Sequence, residues 1–239
     1  DERAFVVNLT RNIVIQGAND SAWTGSGFGA YCKVLGITGT VRVNGVEFRR
    51  VSQAGVLERY PFEWHMASYN MPNGSNALSD GTFIGAANPA NHYFKNNSVH
   101  ESAQRGITIH GTCGLLIDSN VFFDITGHAI FLEDGSEQDN VITNNTVIKV
   151  RAPTAGNKLL NHDSAASGLG SEYIGVHGTN GTAAIWFTNP KNTLSGNWVN
   201  DSEGCGIWHA FATQCFGLSI NVALSPFTLS PTLITDNTA

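Results

Sequence analysis

An asparagine followed two residues later by valine or phenylalanine returns along this chain at nearly even intervals, and that recurrence limits the fold more than any other feature. The copies are Asn44-Gly45-Val46, Asn97-Ser98-Val99, Asn120-Val121-Phe122, Asn145-Thr146-Val147 and Asn197-Trp198-Val199. The asparagines at 97, 120 and 145 stand 23 and 25 residues apart. A unit of roughly 22–25 residues, built from short β-branched strands and Asn/Gly turns, is the length that carries a chain once round a β-solenoid. Asparagine tolerates the left-handed backbone of a tight corner, so each copy is expected to mark one. A doubly wound α/β fold would need amphipathic helices between its strands, and none is legible. The expectation is an all-β chain, a parallel β-helix forming one elongated unit over residues 1–239.

A second element repeats out of phase with the first. Phe62-Glu63-Trp64-His65, Ile107-Thr108-Ile109-His110, Ile130-Phe131-Leu132-Glu133, Ile185-Trp186-Phe187-Thr188 and Ile207-Trp208-His209-Ala210 share one template. Positions one and three are apolar except at His209, as side chains entering a core should be; positions two and four then point outward. Two segments interrupt the rhythm and read as long loops. One covers residues 66–91, with Met71-Pro72-Asn73-Gly74-Ser75 and Asn88-Pro89, and the other covers residues 152–181, rich in Gly, Ser and Ala. Long loops on a solenoid leave one face and often shape its binding surface.

Composition narrows the setting. Only 13% of residues are charged, 26 are glycine and the net charge is −6. Bulk electrostatics therefore recruits neither nucleic acid nor an anionic membrane. No apolar run approaches the roughly 18 residues of a membrane-crossing helix. The opening Asp1-Glu2-Arg3 followed by Ala4-Phe5-Val6-Val7 reads as an entry in the middle of a fold, so the natural N-terminus, with any secretion signal, is expected outside this sequence. Cys32, Cys113, Cys205 and Cys215 form no CxxC pair, which argues against a zinc ribbon or a thioredoxin-type site. Asn-x-Ser/Thr acceptor motifs begin at Asn8, Asn19, Asn73, Asn96, Asn144, Asn180 and Asn200. They are glycosylation candidates, and turn asparagine is the plainer alternative at each.

The strings Arg59-Tyr60-Pro61-Phe62-Glu63-Trp64-His65-Met66 and Ile107-Thr108-Ile109-His110-Gly111 arrive in order, followed by Gly127-His128-Ala129-Ile130-Phe131-Leu132-Glu133-Asp134-Gly135 and Ile185-Trp186-Phe187-Thr188-Asn189-Pro190. This succession resembles the β-helix region of the cell-migration-inducing, hyaluronan-binding proteins and their transmembrane hyaluronidase relatives, with fibrocystin-like receptors as a more distant branch. The opening Leu9-Thr10-Arg11-Asn12-Ile13-Val14-Ile15 fits the same pattern. The resemblance covers roughly residues 5–212 and implies a right-handed β-helix placed extracellularly or on the cell surface. Its hyaluronan-degrading members imply a glycan substrate, and its fibrocystin-like members imply a receptor or structural role. One departure stands out. Where the hyaluronan-handling members have Pro-Ile-His-Phe-His, this chain has Pro61-Phe62-Glu63-Trp64-His65, with glutamate in place of the first histidine.

Stacking the templates gives two outward columns. One holds Glu63, Thr108, Phe131, Trp186 and Trp208; the other holds His65, His110, Glu133, Thr188 and Ala210. Neighbours in a column lie about 4.8 Å apart on adjacent coils. Phe131, Trp186 and Trp208 could stack on the apolar faces of sugar rings, while Glu63, His65, His110 and Glu133 could move protons at a glycosidic bond. In that reading Glu133 or Glu63 is the general acid and His65 or His110 its partner; a lyase with histidine as base stays open. The same four residues could instead form a mixed nitrogen/oxygen site for a divalent cation, zinc more readily than calcium, which would prefer Glu133, Asp134 and Asp139. No established ligand-spacing motif supports either ion.

Plainer alternatives attend each residue. His65 and His110 could be ordinary polar residues of an outward ladder, and Trp186 and Trp208 could pack beneath a long loop. His128 reads as a turn or hydrogen-bonding residue and His209 as a satisfied core residue, while His92, His100, His162 and His177 carry no case. Two function classes follow. The first is a segment of a large extracellular or cell-surface protein acting in adhesion, glycan binding or structural assembly, with glycans, other extracellular proteins or flanking domains of the same polypeptide as partners. The second is a hyaluronidase-like enzyme, a glycoside hydrolase or lyase. The broken paired-histidine motif at Glu63 favours the first.

Overall fold

Among the described residues, eighteen short strands wind through six coils, each coil contributing one strand to each of three parallel sheets. This is a computed structural model, and it describes residues 6–157, 159, 182–209 and 211–239. The first coil holds β1 (Ile13–Gln16), β2 (Cys32–Val34) and β3 (Val41–Asn44); the second holds β4 (Val46–Val51), β5 (Phe62–His65) and β6 (His92–Lys95). The third holds β7 (Ser98–Ser102), β8 (Ile107–His110) and β9 (Leu116–Asp118); the fourth holds β10 (Val121–Thr126), β11 (Ile130–Leu132) and β12 (Val141–Thr143). The fifth holds β13 (Thr146–Arg151), β14 (Ala183–Phe187) and β15 (Thr193–Ser195), and the sixth β16 (Trp198–Ser202), β17 (Cys205–His209) and β18 (Leu233–Thr235). The chain is a right-handed parallel β-helix, as expected.

Stacked apolar side chains fill the interior. Phe48, Val99, Phe122, Val147 and Val199 lie in register along the first sheet, and Phe94, Ile117, Ile142 and Leu194 along the third. All are buried in one continuous core that Trp64, Ile109 and Leu132 complete from the second sheet. Each residue sits over a like residue of the next coil, so apolar area is removed from water continuously along the axis.

The repeated asparagines do other work than the corners assigned to them. Asn97, Asn120, Asn145 and Asn197 are buried. Each donates from Nδ2 to Oδ1 of the next ladder asparagine, at 3.1, 2.9, 2.9 and 2.8 Å, the last acceptor being Asn237. The same Oδ1 atoms accept the backbone N–H of the preceding asparagine. The left-handed residues stand one position earlier, at Asn96, Ser119, Asn144, Gly196 and Asp236. The side chain that satisfies the turn is therefore not the one that bends it. Asn44 leaves the repeat altogether. It pairs with Lys95, and the ladder position in its coil is taken by Val46, whose N–H donates to Asn97 Oδ1 at 2.9 Å.

A second left-handed column bends the first-sheet strands. Arg50, Glu101, Asp124, Lys149 and Asp201 all have positive φ. Two opposite-charge pairs form along it, with Arg50 3.7 Å from Glu101 and Lys149 3.4 Å from Asp124. The ends of the solenoid are less covered: Ile13, Val14, Leu233 and Ile234 are exposed. His209 is exposed too. It stands at an inward position, in register with Phe187, but on the last coil, so the satisfied core site expected for it is not formed. Ala210, His162, His177 and Asn180 lie outside the described residues, as does most of the 152–181 segment.

Candidate functional site

The outward columns read from the strand templates are in register in the structure. Lys33 pairs with Glu63, Glu63 with Thr108, Thr108 with Phe131, Phe131 with Trp186 and Trp186 with Trp208. His65 pairs with His110, and Glu133 follows as its backbone N–H donates to the Ile109 carbonyl at 3.2 Å. Period-two alternation made this legible: Trp64 and Ile109 enter the core, so Glu63, His65, Thr108 and His110 must leave it.

What the alternation did not convey is that this face is roofed. Glu63 is 0% exposed, His65 1%, His110 3% and Glu133 7%. The 66–91 loop and the stretch after residue 211 lie over the second sheet and hold each other, Ser79 N–H donating to the Leu218 carbonyl and Asn221 Nδ2 to the Ser79 carbonyl. Beneath them Met66, Tyr69, Cys113, Cys215 and Val222 form a second apolar cluster outside the solenoid. Tyr69 Oη donates to the Ser136 carbonyl at 2.9 Å, tying the loop down.

Inside that roof the ionisable residues converge. His65 donates from Nδ1 to Glu63 Oε1 at 2.8 Å and from Nε2 to the Ser75 carbonyl at 2.6 Å. His110 Nε2 donates to Asp134 Oδ2 at 2.7 Å. Its Nδ1 lies 3.8 Å from Glu63 Oε1 and 3.5 Å from Glu133 Oε2 and makes no hydrogen bond. Asp134 is held in place by the Ser219 N–H at 3.0 Å. Glu137 accepts the backbone N–H groups of Gly111, Gly135 and Asp134 at 2.8, 2.8 and 3.1 Å, and so fixes the turn that carries Asp134. Lys33 bridges Glu58 at 2.7 Å and Glu63 at 3.7 Å. The buried Tyr60 hydroxyl and Thr108 Oγ1 have no hydrogen-bond partner.

The protonation balance is uneven. Burial pushes the Glu63 carboxyl up, but the two imidazoles beside it, His110 and His65, overcome it and bring it down to about 2. Glu133 is raised to about 8, chiefly by burial, with His110 opposing. Burial lowers His110, and the neighbouring Asp134 and Glu133 outweigh it, so its imidazolium persists well above the usual histidine range. Among the described residues, two groups could hold a cation: Glu63, His65 and His110, or His110, Glu133 and Asp134.

The aromatic half is packed rather than open. Phe131 and Trp186 are fully buried in a cluster with Ala183, and only Trp208 is half-buried. Trp186 stacks on Trp208 with ring centroids 5.7 Å apart. His128 stacks on Phe131 at 5.0 Å and accepts the Ala183 N–H on Nδ1 at 2.8 Å, the hydrogen-bonding place expected of it. Buried Arg105 lies over the Phe131 ring, 4.3 Å from its centroid. Strand reasoning missed Lys33, Glu58, Tyr60, Arg105 and Glu137. Lys33 carried a signal, since Cys32-Lys33-Val34 is an alternating strand, though three residues long. Of the acceptor motifs, Asn8, Asn19, Asn73, Asn96, Asn144 and Asn200 are exposed. The Nδ2 groups of Asn96 and Asn144 donate to Asn44 and Asp118.

Fold and site together define a parallel β-helix with a roofed acid–histidine cluster on one outward sheet. The family model described as CEMIP beta-helix matches residues 27–239, and the chain belongs to that family. It is similar to a protein of Dictyostelium discoideum, 33% identical over 237 residues, covering 92% of this chain and 20% of that protein. It is 31% identical over 239 residues to the human cell surface hyaluronidase CEMIP2, covering 94% of this chain and 16% of that protein. Human fibrocystin-L is 28% identical over 246 residues, 87% of this chain and 5% of that protein. The chain thus spans a fifth or less of the length of these relatives.

Proposed function

We propose that this chain is the β-helix segment of a large extracellular or cell-surface protein acting in adhesion, glycan binding or structural assembly, and that its acid–histidine cluster anchors the roof instead of cleaving a sugar. The observation that carries this is burial. Glu63, His65, His110 and Glu133 are each 7% exposed or less, and both imidazoles spend a ring nitrogen on groups that hold the roof, the Ser75 carbonyl and the Ser219-bound Asp134. A glycosidase must bring a glycosidic bond, with the sugar rings on either side of it, up to its two carboxyl groups. Exposed apolar ends at Ile13 and Leu233 support further coils or another extracellular protein as neighbours. The setting rests on the cell-surface relatives. In the test, the full-length protein is passed over immobilised glycans, hyaluronan among them, and the recovered chains are sized. Retention without shortening supports the proposal; shortened chains overturn it.

A second reading is favoured by one observation. Two carboxyl groups flanking His110 are displaced in opposite directions, Glu133 to about 8 and Glu63 to about 2, the separation that general-acid chemistry requires. In that hyaluronidase-like reading the roof opens to admit substrate, and Glu133 donates its proton to the leaving oxygen.

A further inference from the structure

We infer that Glu63, His65 and His110 bind one divalent transition-metal ion of the zinc class. Nδ1 of both imidazoles faces the same carboxylate oxygen, Glu63 Oε1, at 2.8 Å for His65 and 3.8 Å for His110. The rings stand at 86° with centroids 4.9 Å apart, so their near nitrogens converge on one region instead of stacking past each other. One ligand atom from each of the three residues lies within 4.8 Å of the other two, compact enough for one ion, binding with release of the Nδ1 protons to solvent, to draw them onto bonds of roughly 2.0–2.2 Å.

The far nitrogens carry the second argument. Metal-bound histidines hand their other ring N–H to a carboxylate or a backbone carbonyl, which fixes ring and tautomer. Both do so here: His110 Nε2 to Asp134 Oδ2 at 2.7 Å, and His65 Nε2 to the Ser75 carbonyl at 2.6 Å. Those bonds leave each Nδ1 as the inward-facing atom. His110 Nδ1 is buried without a hydrogen-bond partner, and Glu133 Oε2, 3.5 Å away, is equally unpartnered.

Charge completes the case. Glu58, Glu63, Glu133, Asp134 and Glu137 are gathered against two permanent cations, Lys33 and Arg105. A bound cation is one way to neutralise such a buried carboxylate cluster, beside pairing and protonation. Two imidazoles and a carboxylate form a nitrogen/oxygen set that suits zinc better than calcium or magnesium.

The test uses the whole chain, treated with EDTA and freed of chelator. Calorimetric titration with zinc chloride is expected to show one site per chain, with a raised melting temperature, and calcium chloride to leave that temperature unchanged. Asp134→Asn keeps the shape but loosens His110, and is expected to weaken zinc binding about 10–100-fold. Glu63→Gln is expected to abolish tight binding, while His100→Gln, beside Glu47 on the first sheet, leaves it intact. If Glu63→Gln does not fold, cobalt(II) in the unaltered chain carries the test through visible absorption of a tetrahedral nitrogen/oxygen site. A folded chain that binds neither zinc nor cobalt overturns the inference. Equal zinc affinity in the unaltered chain and in Asp134→Asn overturns it as well, because the ion would then sit elsewhere.

Discussion

Asn120 donates from Nδ2 to Asn145 Oδ1 at 2.9 Å, and that bond is one rung of a buried ladder that runs from coil to coil. Asn120 also accepts the N–H and Nδ2 of Asn97 on its own Oδ1 and donates to the Phe94 carbonyl. One side chain thus satisfies buried groups on two coils at once.

Asn120→Ala should therefore be among the costliest single changes in the chain. It leaves the buried Asn97 N–H and the Phe94 carbonyl without partners, at about 1–3 kcal/mol each. A loss of about 2–6 kcal/mol is expected in urea unfolding. Asn96→Gly removes the exposed left-handed residue one step before the ladder, and should stay within about 1 kcal/mol of the unaltered chain. Equal losses in both variants would refute the division of labour between ladder and corner.

That division explains what was legible in the sequence. The spacing of Asn97, Asn120 and Asn145 disclosed the solenoid, because a ladder side chain must recur once per coil. It could not disclose whether the asparagine bends the chain or satisfies it, since both roles want the same residue type. Asn44 fitted the string but not the register, and only strand pairing with Lys95 reveals it. The outward columns were legible because alternation is local. The roof was not, because it depends on distant contacts such as Ser79 with Leu218 and Asp134 with Ser219.

Roof closure hangs on Gly217. Its φ is +56, and a Cβ there would stand 2.2 Å from Asp134 Oδ1. Gly217→Ala should displace the carboxylate that holds His110 and add the left-handed cost of about 1–2 kcal/mol. A melting temperature lower by several degrees, with faster amide exchange at Ser219, is expected. Unchanged exchange at Ser219 would show that the roof does not depend on this contact.

The thiols give a check on the outer apolar cluster. Burial raises the Cys113 thiol to about 11, so the folded chain holds little thiolate at pH 8.5. Each pH unit below that value cuts the reactive fraction about tenfold. Iodoacetamide at pH 8.5 should spare Cys113 in the folded chain, modify it in urea, and label the half-buried Cys205 sooner. Rapid native labelling of Cys113 would mean that the 66–91 loop does not cover it.

If the acid–histidine cluster holds the roof and performs no cleavage, a hyaluronan chain keeps its length in contact with the protein. Full-length protein, zinc-loaded in one sample and chelated in the other, is incubated with hyaluronan of defined size beside its Glu133→Gln variant. The expected result is an unchanged length distribution in every sample, with Glu133→Gln altering thermal stability alone. Shortening by the unaltered protein that disappears in a folded Glu133→Gln variant would contradict the claim and establish the hyaluronidase-like reading.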